Sequence, residues 1–144
     1  MVEQDTIKLL RECDAGIKMG VSSIDDVLDY VHSSQFRQCL SECKEKHEIL
    51  KDELQTLLDD YQDDGKEPNP MAKGMSWIKT NMKLAMDASD QTIASLMVDG
   101  CNMGVKSLNK YLNEYKAASE KAKDIAKRLI NLEEKLAVDI RHFL

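Results

Sequence analysis

Two residues of one predicted helix, Cys43 and His47, and a third far along the chain, Cys101, carry side chains that bind soft metals. The spacing of Cys43 and His47 places them one turn apart on the same helix face. If the fold brings Cys101 to their level, the three could hold Zn or Cu(I), or form a redox site. The favoured alternative is a core histidine that is hydrogen-bonded to its neighbours, beside cysteines that act as small apolar residues.

A second candidate pair, Asp139 and His142, lies near the C-terminal end of the chain. A carboxylate followed three residues later by histidine is half of the ligand set with which di-iron helical bundles bind Fe. The rest of that set is missing, because Lys44 stands three residues before His47, where those bundles carry Glu. Asp139 and His142 are therefore additional candidates for a metal site but do not complete an iron centre.

Four glycines lie inside predicted helices as two G-x-x-x-G pairs, Gly16 with Gly20 and Gly100 with Gly104. Each costs about 1 kcal/mol relative to alanine in a helix interior, so their positions need a reason. Close packing of two helix backbones is the favoured reason. The alternatives are space for a small apolar ligand or cofactor, and contact with a partner helix in an oligomer.

Apolar residues recur at helical spacing in four long segments, which predicts amphipathic helices at about 5–32, 34–63, 89–117 and 120–143. Ser33 and Ser34 supply an N-cap for the second helix, and Ser119 caps the fourth. Gly65 can end the second helix in a left-handed conformation. Asp14 and Asp139 occupy positions where the pattern expects apolar residues. For Asp14 we expect a partly wet helix face and pairing with Lys18, Arg11, a tyrosine hydroxyl or solvent.

A long connection, residues 63–89, joins the second helix to the third. Asn69 and Pro70 predict the start of a short helix over about 70–86, with an apolar stripe of Met71, Met75, Ile78 and Met82 beside Trp77. Because the connection can run the length of a bundle, helices two and three should be parallel. The predicted fold is one all-α domain over residues 1–144, a four-helix bundle with a long crossover between helices 2 and 3.

Counting from the loops of this bundle brings several of the singled-out residues to one level. Gly20 falls level with His47, Gly100, Cys101 and Leu136, and Gly16 falls level with Gly104. The candidate metal ligands and the glycines should therefore share one middle layer.

The composition narrows the classes of partner. The 144 residues carry 20 basic and 26 acidic side chains without a basic patch, so we expect no nucleic acid and no anionic membrane as partner. The first residues lack the features of a secretory signal, and no apolar run reaches membrane-spanning length, so we expect a cytoplasmic protein. The four cysteines are expected to be reduced thiols.

Three local segments support a resemblance to a known family: Cys13–Ile17 in the first helix, Lys44–His47 in the second, and Met75–Lys79 in the crossover. With the order of hairpin, crossover helix and hairpin, the chain resembles the small bacterial ferritin-like four-helix bundles of unassigned function. The metal-binding members of the wider group imply Glu and Glu-x-x-His ligands, which only Asp139 with His142 approximates here. The resemblance therefore implies the topology and leaves the role open.

No catalytic triad spacing, phosphate-binding loop or dinucleotide fingerprint is present, so we expect a non-enzymatic protein. The leading hypothesis is a bundle that acts through its surface or by self-association, as a homodimer. One alternative is a metal-binding or redox protein with its site around Cys43, His47 and Cys101. The other is a protein that binds a small apolar ligand at the glycine layer.

Overall fold

The structure, a computed structural model, describes residues 2–68 and 77–144, and every regular element within these ranges is helical. The first two helices are α1 (Val2–Leu28) and α2 (Ser34–Asp60). A short helix, α3 (Trp77–Ala85), precedes the last two long ones, α4 (Asp90–Glu114) and α5 (Glu120–Asp139), and a 3₁₀ turn (Arg141–Phe143) follows. The all-α class that the apolar spacing predicts is confirmed.

Side-chain contacts fix the directions of the long helices. Gly20 of α1 lies beside His47 of α2 across a short turn, so these helices are antiparallel. The hydroxyl of Thr6 accepts a hydrogen bond from the Ser119 backbone N–H, and Gly20 lies beside Glu133. The two partners are separated by the same number of residues in both contacts, so α1 and α5 are parallel. Because a short turn likewise makes α4 antiparallel to α5, α2 and α4 point the same way.

The buried apolar side chains form two clusters, one toward each end of the helices. The first gathers around Ile24, Phe36 and Ile93. The second gathers around Leu9, Leu54 and Leu129. Each fully buried side chain of this size contributes about 1.5–3 kcal/mol. Between the clusters the long helices carry glycines and polar residues instead, and this intervening layer holds the candidate site.

Serine N-caps start three of the helices. Ser33, Ser89 and Ser119 each accept a hydrogen bond from a backbone N–H in the first turn, at 3.2 Å, as predicted for Ser33 and Ser119. The carboxylate of Asp90 accepts from the backbone N–H groups of His32 and Ser33. The start of α4 is thereby tied to the turn between α1 and α2.

The helices end earlier than their apolar spacing predicts. α1 stops at Leu28, α2 at Asp60 and α5 at Asp139. Gln62, with φ of 56°, takes the left-handed conformation after α2, whereas Gly65, at 86°, lies further on in the connection. Phe143 is held by the 3₁₀ turn and stacks on Phe36 at 4.7 Å. Apolar residues beyond a helix end can still pack on the core, and for this reason their spacing overextends a helix.

The predicted crossover helix is observed in its second half, as α3. Asn69, Pro70, Met71 and Met75 lie outside the described residues. Ile78 and Met82 are buried, and Trp77 is half-buried against the first core cluster, so this part of the stripe covers the protein's own interior. No described helix combines the length and the apolar character needed to cross a bilayer.

Candidate binding cavity

A cavity of about 370 Å³ lies in the layer between the two core clusters. Its apolar walls come from four helices and include Met19, Ile24, Trp77, Ile78, Leu96, Met97, Leu129 and Leu136. The volume is within the roughly 300–1,000 Å³ of small-molecule sites. Met103 and Ser107 also line the cavity and are exposed, which indicates that it reaches the surface beside α4.

The imidazole of His47 forms the buried polar end of this cavity, at 1% exposure. Its Nδ1 lies 2.8 Å from the backbone oxygen of Cys43 and 3.5 Å from that residue's Sγ. A carbonyl oxygen can only accept, so Nδ1 carries a proton and donates it to Cys43 O. Nε2 lies 3.2 Å from Oε1 of Glu133. Both ring nitrogens are therefore engaged, and one further proton is shared between Nε2 and the carboxyl group.

Glu133 is central to this site, and the apolar spacing of the sequence did not reveal this residue. It lies between Leu129 and Leu136 on the inner face of α5, and its side chain is only 13% exposed. The apolar spacing of this segment predicts instead an inner stripe of Ile125, Leu129, Leu132, Leu136, Asp139 and Phe143. The sequence is compatible with this face, because positions 126, 129, 130, 136, 137 and 140 are all apolar and surround position 133 at helical spacing, and the structure buries all six.

The charges at this end of the cavity compensate each other. Burial by itself would lower the pKa of His47, but the hydrogen bonds and charges of Cys43 and Glu133 outweigh it and raise the pKa to about 10. The imidazole is therefore a cation at neutral pH, paired with the Glu133 carboxylate. Burial, reinforced by Glu133, raises the pKa of the Cys101 thiol, which stays protonated.

The glycines make room for this polar pair and for the cavity, and the expected contact between two helix backbones is absent among the described residues. A Cβ on Gly20 would lie 2.9 Å from His47 Nε2, and one on Gly104 would lie 3.7 Å from Glu133 Cδ. For Gly16 and Gly100 the nearest atoms belong to the side chains of Leu129 and Trp77. The prediction of backbone packing is wrong, because side chains from α2, α3 and α5 lie against the glycines. All of the glycines line the cavity with His47 and Cys101, but Gly20 and Gly104 both lie beside Glu133, so Gly104 is level with Gly20 and not with Gly16 as predicted.

The predicted metal ligands are only partly brought together. Cys43 contacts His47, and Cys101 lies close enough to Glu133 for that carboxylate to raise its pKa. The Cys43 thiol lies at Nδ1 of His47, whereas the Glu133 carboxylate lies at Nε2. An ion bound to one of these ring nitrogens would therefore not contact both Cys43 and Glu133. Within residues 2–68 and 77–144, no group of three or more His, Cys, Asp and Glu side chains is placed to hold a metal.

The other two candidates lie apart from this cluster. Asp139 does not occupy a core position, because its side chain is 38% exposed and forms an ion pair with Lys135 at 2.6 Å. The core positions at that level are taken by Leu136, Ala137 and Ile140. His142 is exposed in the 3₁₀ turn, where its ring lies against Phe143. All four cysteines are free thiols.

A second polar pair lines the cavity at its other end. The ammonium group of Lys66 is paired with the Glu12 carboxylate. Tyr111 lies beside this pair, and burial together with Glu12 raises the pKa of its hydroxyl. Glu12 precedes Gly20 by eight residues on α1, so the two polar ends are roughly 12 Å apart along the helix axis.

Asp14 holds the connection after α2 against α1. Its expected pairing with Lys18 is confirmed at 2.8 Å, and it also accepts from the Lys66 backbone at 2.9 Å. The expected partly wet face is wrong, because Asp14 is 1% exposed and Gly65 packs directly on its carboxylate. Its Oδ1 has no hydrogen-bond partner among the described residues. Asp14 therefore positions Lys66 at the cavity but does not line the cavity itself.

Comparisons of the chain with family models, with curated proteins and with solved structures found no match. The chemistry of the cavity is therefore the basis for assigning a function.

Proposed function

We propose that this protein binds a small, mainly apolar molecule in the cavity between its helices. The observation that carries the proposal is the cavity itself, about 370 Å³, which lies between the two clusters of buried apolar side chains. A mainly apolar cleft of this size that opens to the surface is the usual form of a small-molecule site, whereas close-packed interiors leave few voids larger than a water molecule.

The residues that line the cavity support binding over a purely structural role. Trp77 and Met97 offer aromatic and adaptable apolar surface, which suits a ligand of irregular shape. The pairs of His47 with Glu133 and of Lys66 with Glu12 provide polar groups at its two ends. Apolar walls with a few fixed polar groups are the usual composition of a small-molecule site.

This proposal replaces the surface-acting or self-associating protein that the sequence favoured. Ile78 and Met82 cover the interior of their own chain, so this part of the α3 stripe offers no free apolar surface to a partner. The soft-metal alternative around Cys43, His47 and Cys101 has less support, because His47 already uses both nitrogens for protein partners.

We also propose that the fold is a ferritin-like four-helix bundle used for binding without a metal. The parallel directions of α2 and α4 and the short helix between them support this assignment. The absence of the Glu and Glu-x-x-His ligand pattern from the sequence separates this chain from the di-iron branch.

The test uses Trp77, which is the one tryptophan of the chain and lines the cavity. Titration with the uncharged fluorophore N-phenyl-1-naphthylamine should give saturable binding of one molecule per chain, with energy transfer from Trp77. Protein dialysed against EDTA should bind equally well. Binding that does not saturate, or that depends on a stoichiometric metal, would contradict the proposal.

A further inference from the structure

The ligand's polar group is constrained by the hydrogen-bonding capacity that remains at the buried end of the cavity. His47 has no free position, because Nδ1 donates to Cys43 O and Nε2 is paired with Glu133. Beside the ring, the carboxylate oxygens of Glu133 accept from His47 and from the Cys101 thiol and still have unused capacity, because each oxygen can accept more than one hydrogen bond. The polar group of the ligand at the buried end is therefore expected to donate a hydrogen bond to Glu133.

The charge of the cavity restricts the ligand further. The described lining contains two cations, His47 and Lys66, and each is already paired with a carboxylate, Glu133 or Glu12. An anionic ligand would find no unpaired cation and would meet two carboxylates. A cationic ligand would add a buried charge without a free counter-ion, which is costly.

From these two constraints we infer that the ligand is an uncharged apolar alcohol or phenol whose hydroxyl group donates a hydrogen bond to Glu133. Its hydrocarbon part lies along Trp77, Met97 and Leu136, which belong to the same side of the cavity. Glu133 is then a specificity-determining residue, which selects a hydroxyl over a carboxylate on the same carbon chain. This inference rests on the proposed binding function and narrows it to one class of ligand.

The experiment compares molecules that share one chain length and differ in their head group. Binding of 1-octanol, octanoate, octylamine and heptyl methyl ether to the full-length protein is measured at pH 7 by calorimetry and by Trp77 fluorescence. A hydrogen bond to a charged acceptor discriminates by about tenfold or more. We therefore expect 1-octanol to bind at least about tenfold more tightly than the ether, which cannot donate, and than octanoate, which is repelled.

The variant Glu133→Gln keeps the size of the side chain but replaces one acceptor oxygen with an N–H donor and removes the charge. It should lose most of the preference for 1-octanol over octanoate. Glu134→Gln is the matched control, because Glu134 is exposed on the same helix, and it should retain the wild-type order. If Glu133→Gln does not fold, the head-group series on the wild-type protein decides the question by itself.

The outcomes separate the inference from the proposed function. Equal affinities for all four head groups, or a preference for octanoate or octylamine, would overturn the assignment of an alcohol while leaving the cavity as a binding site. Saturable binding of none of the four, together with no binding of N-phenyl-1-naphthylamine, would overturn both.

Discussion

At the scale of single residues, the pair of His47 and Glu133 determines the character of the middle layer. A buried imidazole and a nearly buried carboxylate are stable there because each neutralises the other and because Cys43 O holds Nδ1. Gly20 allows the ring to lie directly against α1. The layer is thus polar and electrically neutral between two apolar clusters.

Replacing Gly20 with alanine should destabilise the protein by about 1–3 kcal/mol. The new methyl group would lie 2.9 Å from Nε2 and 3.0 Å from Cδ2 of His47, and the ring cannot move away without losing its hydrogen bonds. Gly104→Ala is the matched control, because its methyl group would lie 3.7 Å from Glu133 Cδ, in ordinary contact. That variant should gain up to about 1 kcal/mol from helix propensity. Urea unfolding measures both, and equal effects of the two substitutions would contradict the described packing.

The stability of the protein should depend on pH through His47. The pKa of this group is raised from 6.5 to about 10 by folding, so the stabilisation is fully present below pH 6.5 and is lost as the pH rises toward 10. Above pH 6.5 the unfolded chain releases the proton first. The free energy of unfolding should therefore fall by up to about 1.4 kcal/mol per pH unit.

The window from pH 6.5 to about 8 isolates this effect, because the thiols of Cys13, Cys39 and Cys101, whose pKa values folding also raises, ionise in the unfolded chain only near 9. His47→Gln keeps a neutral donor at the same place and should remove most of the slope in urea unfolding across this window. A slope as steep in the variant as in the wild-type protein would show that His47 does not hold the extra proton.

At the scale of elements, the connection after α2 is fastened to α1 by charged and backbone contacts. Arg11 pairs with Asp63, Lys18 with Glu67, and Asp14 with the Lys66 backbone. These contacts bring Lys66 and Pro68 to the cavity wall. Surface ion pairs are worth little individually, so the buried carboxylate of Asp14 is the main anchor.

Gly65→Ala should test this anchor, with an expected loss of at least about 2 kcal/mol in the free energy of unfolding. Gly65 has φ of 86°, and a Cβ there would overlap with Asp14 Oδ2. Gln62→Gly is the comparison in the same connection, because Gln62 adopts φ of 56° without being glycine. Relief of the left-handed strain should raise the stability of that variant by about 1 kcal/mol. An unchanged stability of Gly65→Ala in urea unfolding would mean that the connection is not held as described.

At the scale of the whole molecule, the sequence was sufficient for the helices and, to within about one turn, for the level at which they meet. Counting from the loops predicted that Gly20 and His47 lie side by side, because short turns between antiparallel helices leave little freedom in register. The sequence did not reveal Glu133, since the inner face of α5 is set by its packing against both α1 and α2. The apolar spacing of α5 is compatible with an inner face centred on Leu132 and with one centred on Glu133. Only the packing of α5 against its neighbours decides between the two.

Filling the cavity should separate ligand binding from folding. Gly104→Leu places a branched side chain in the cavity and should weaken binding of N-phenyl-1-naphthylamine at least about tenfold. Burial of the new apolar surface should offset part of any loss of stability from strain. Asn102→Leu puts the same side chain on an exposed position of α4 that does not line the cavity, and it should bind as the wild-type protein does.

Circular dichroism establishes whether each cavity variant is folded, and Gly100→Leu provides a second filled cavity against Trp77 if Gly104→Leu is not. Full affinity in a folded, filled variant would place the bound molecule elsewhere on the protein. Loss of affinity in the filled variants but not in the control would mean that the ligand occupies the space beside the glycines. That space would explain why glycines stand at these positions although they destabilise the helices.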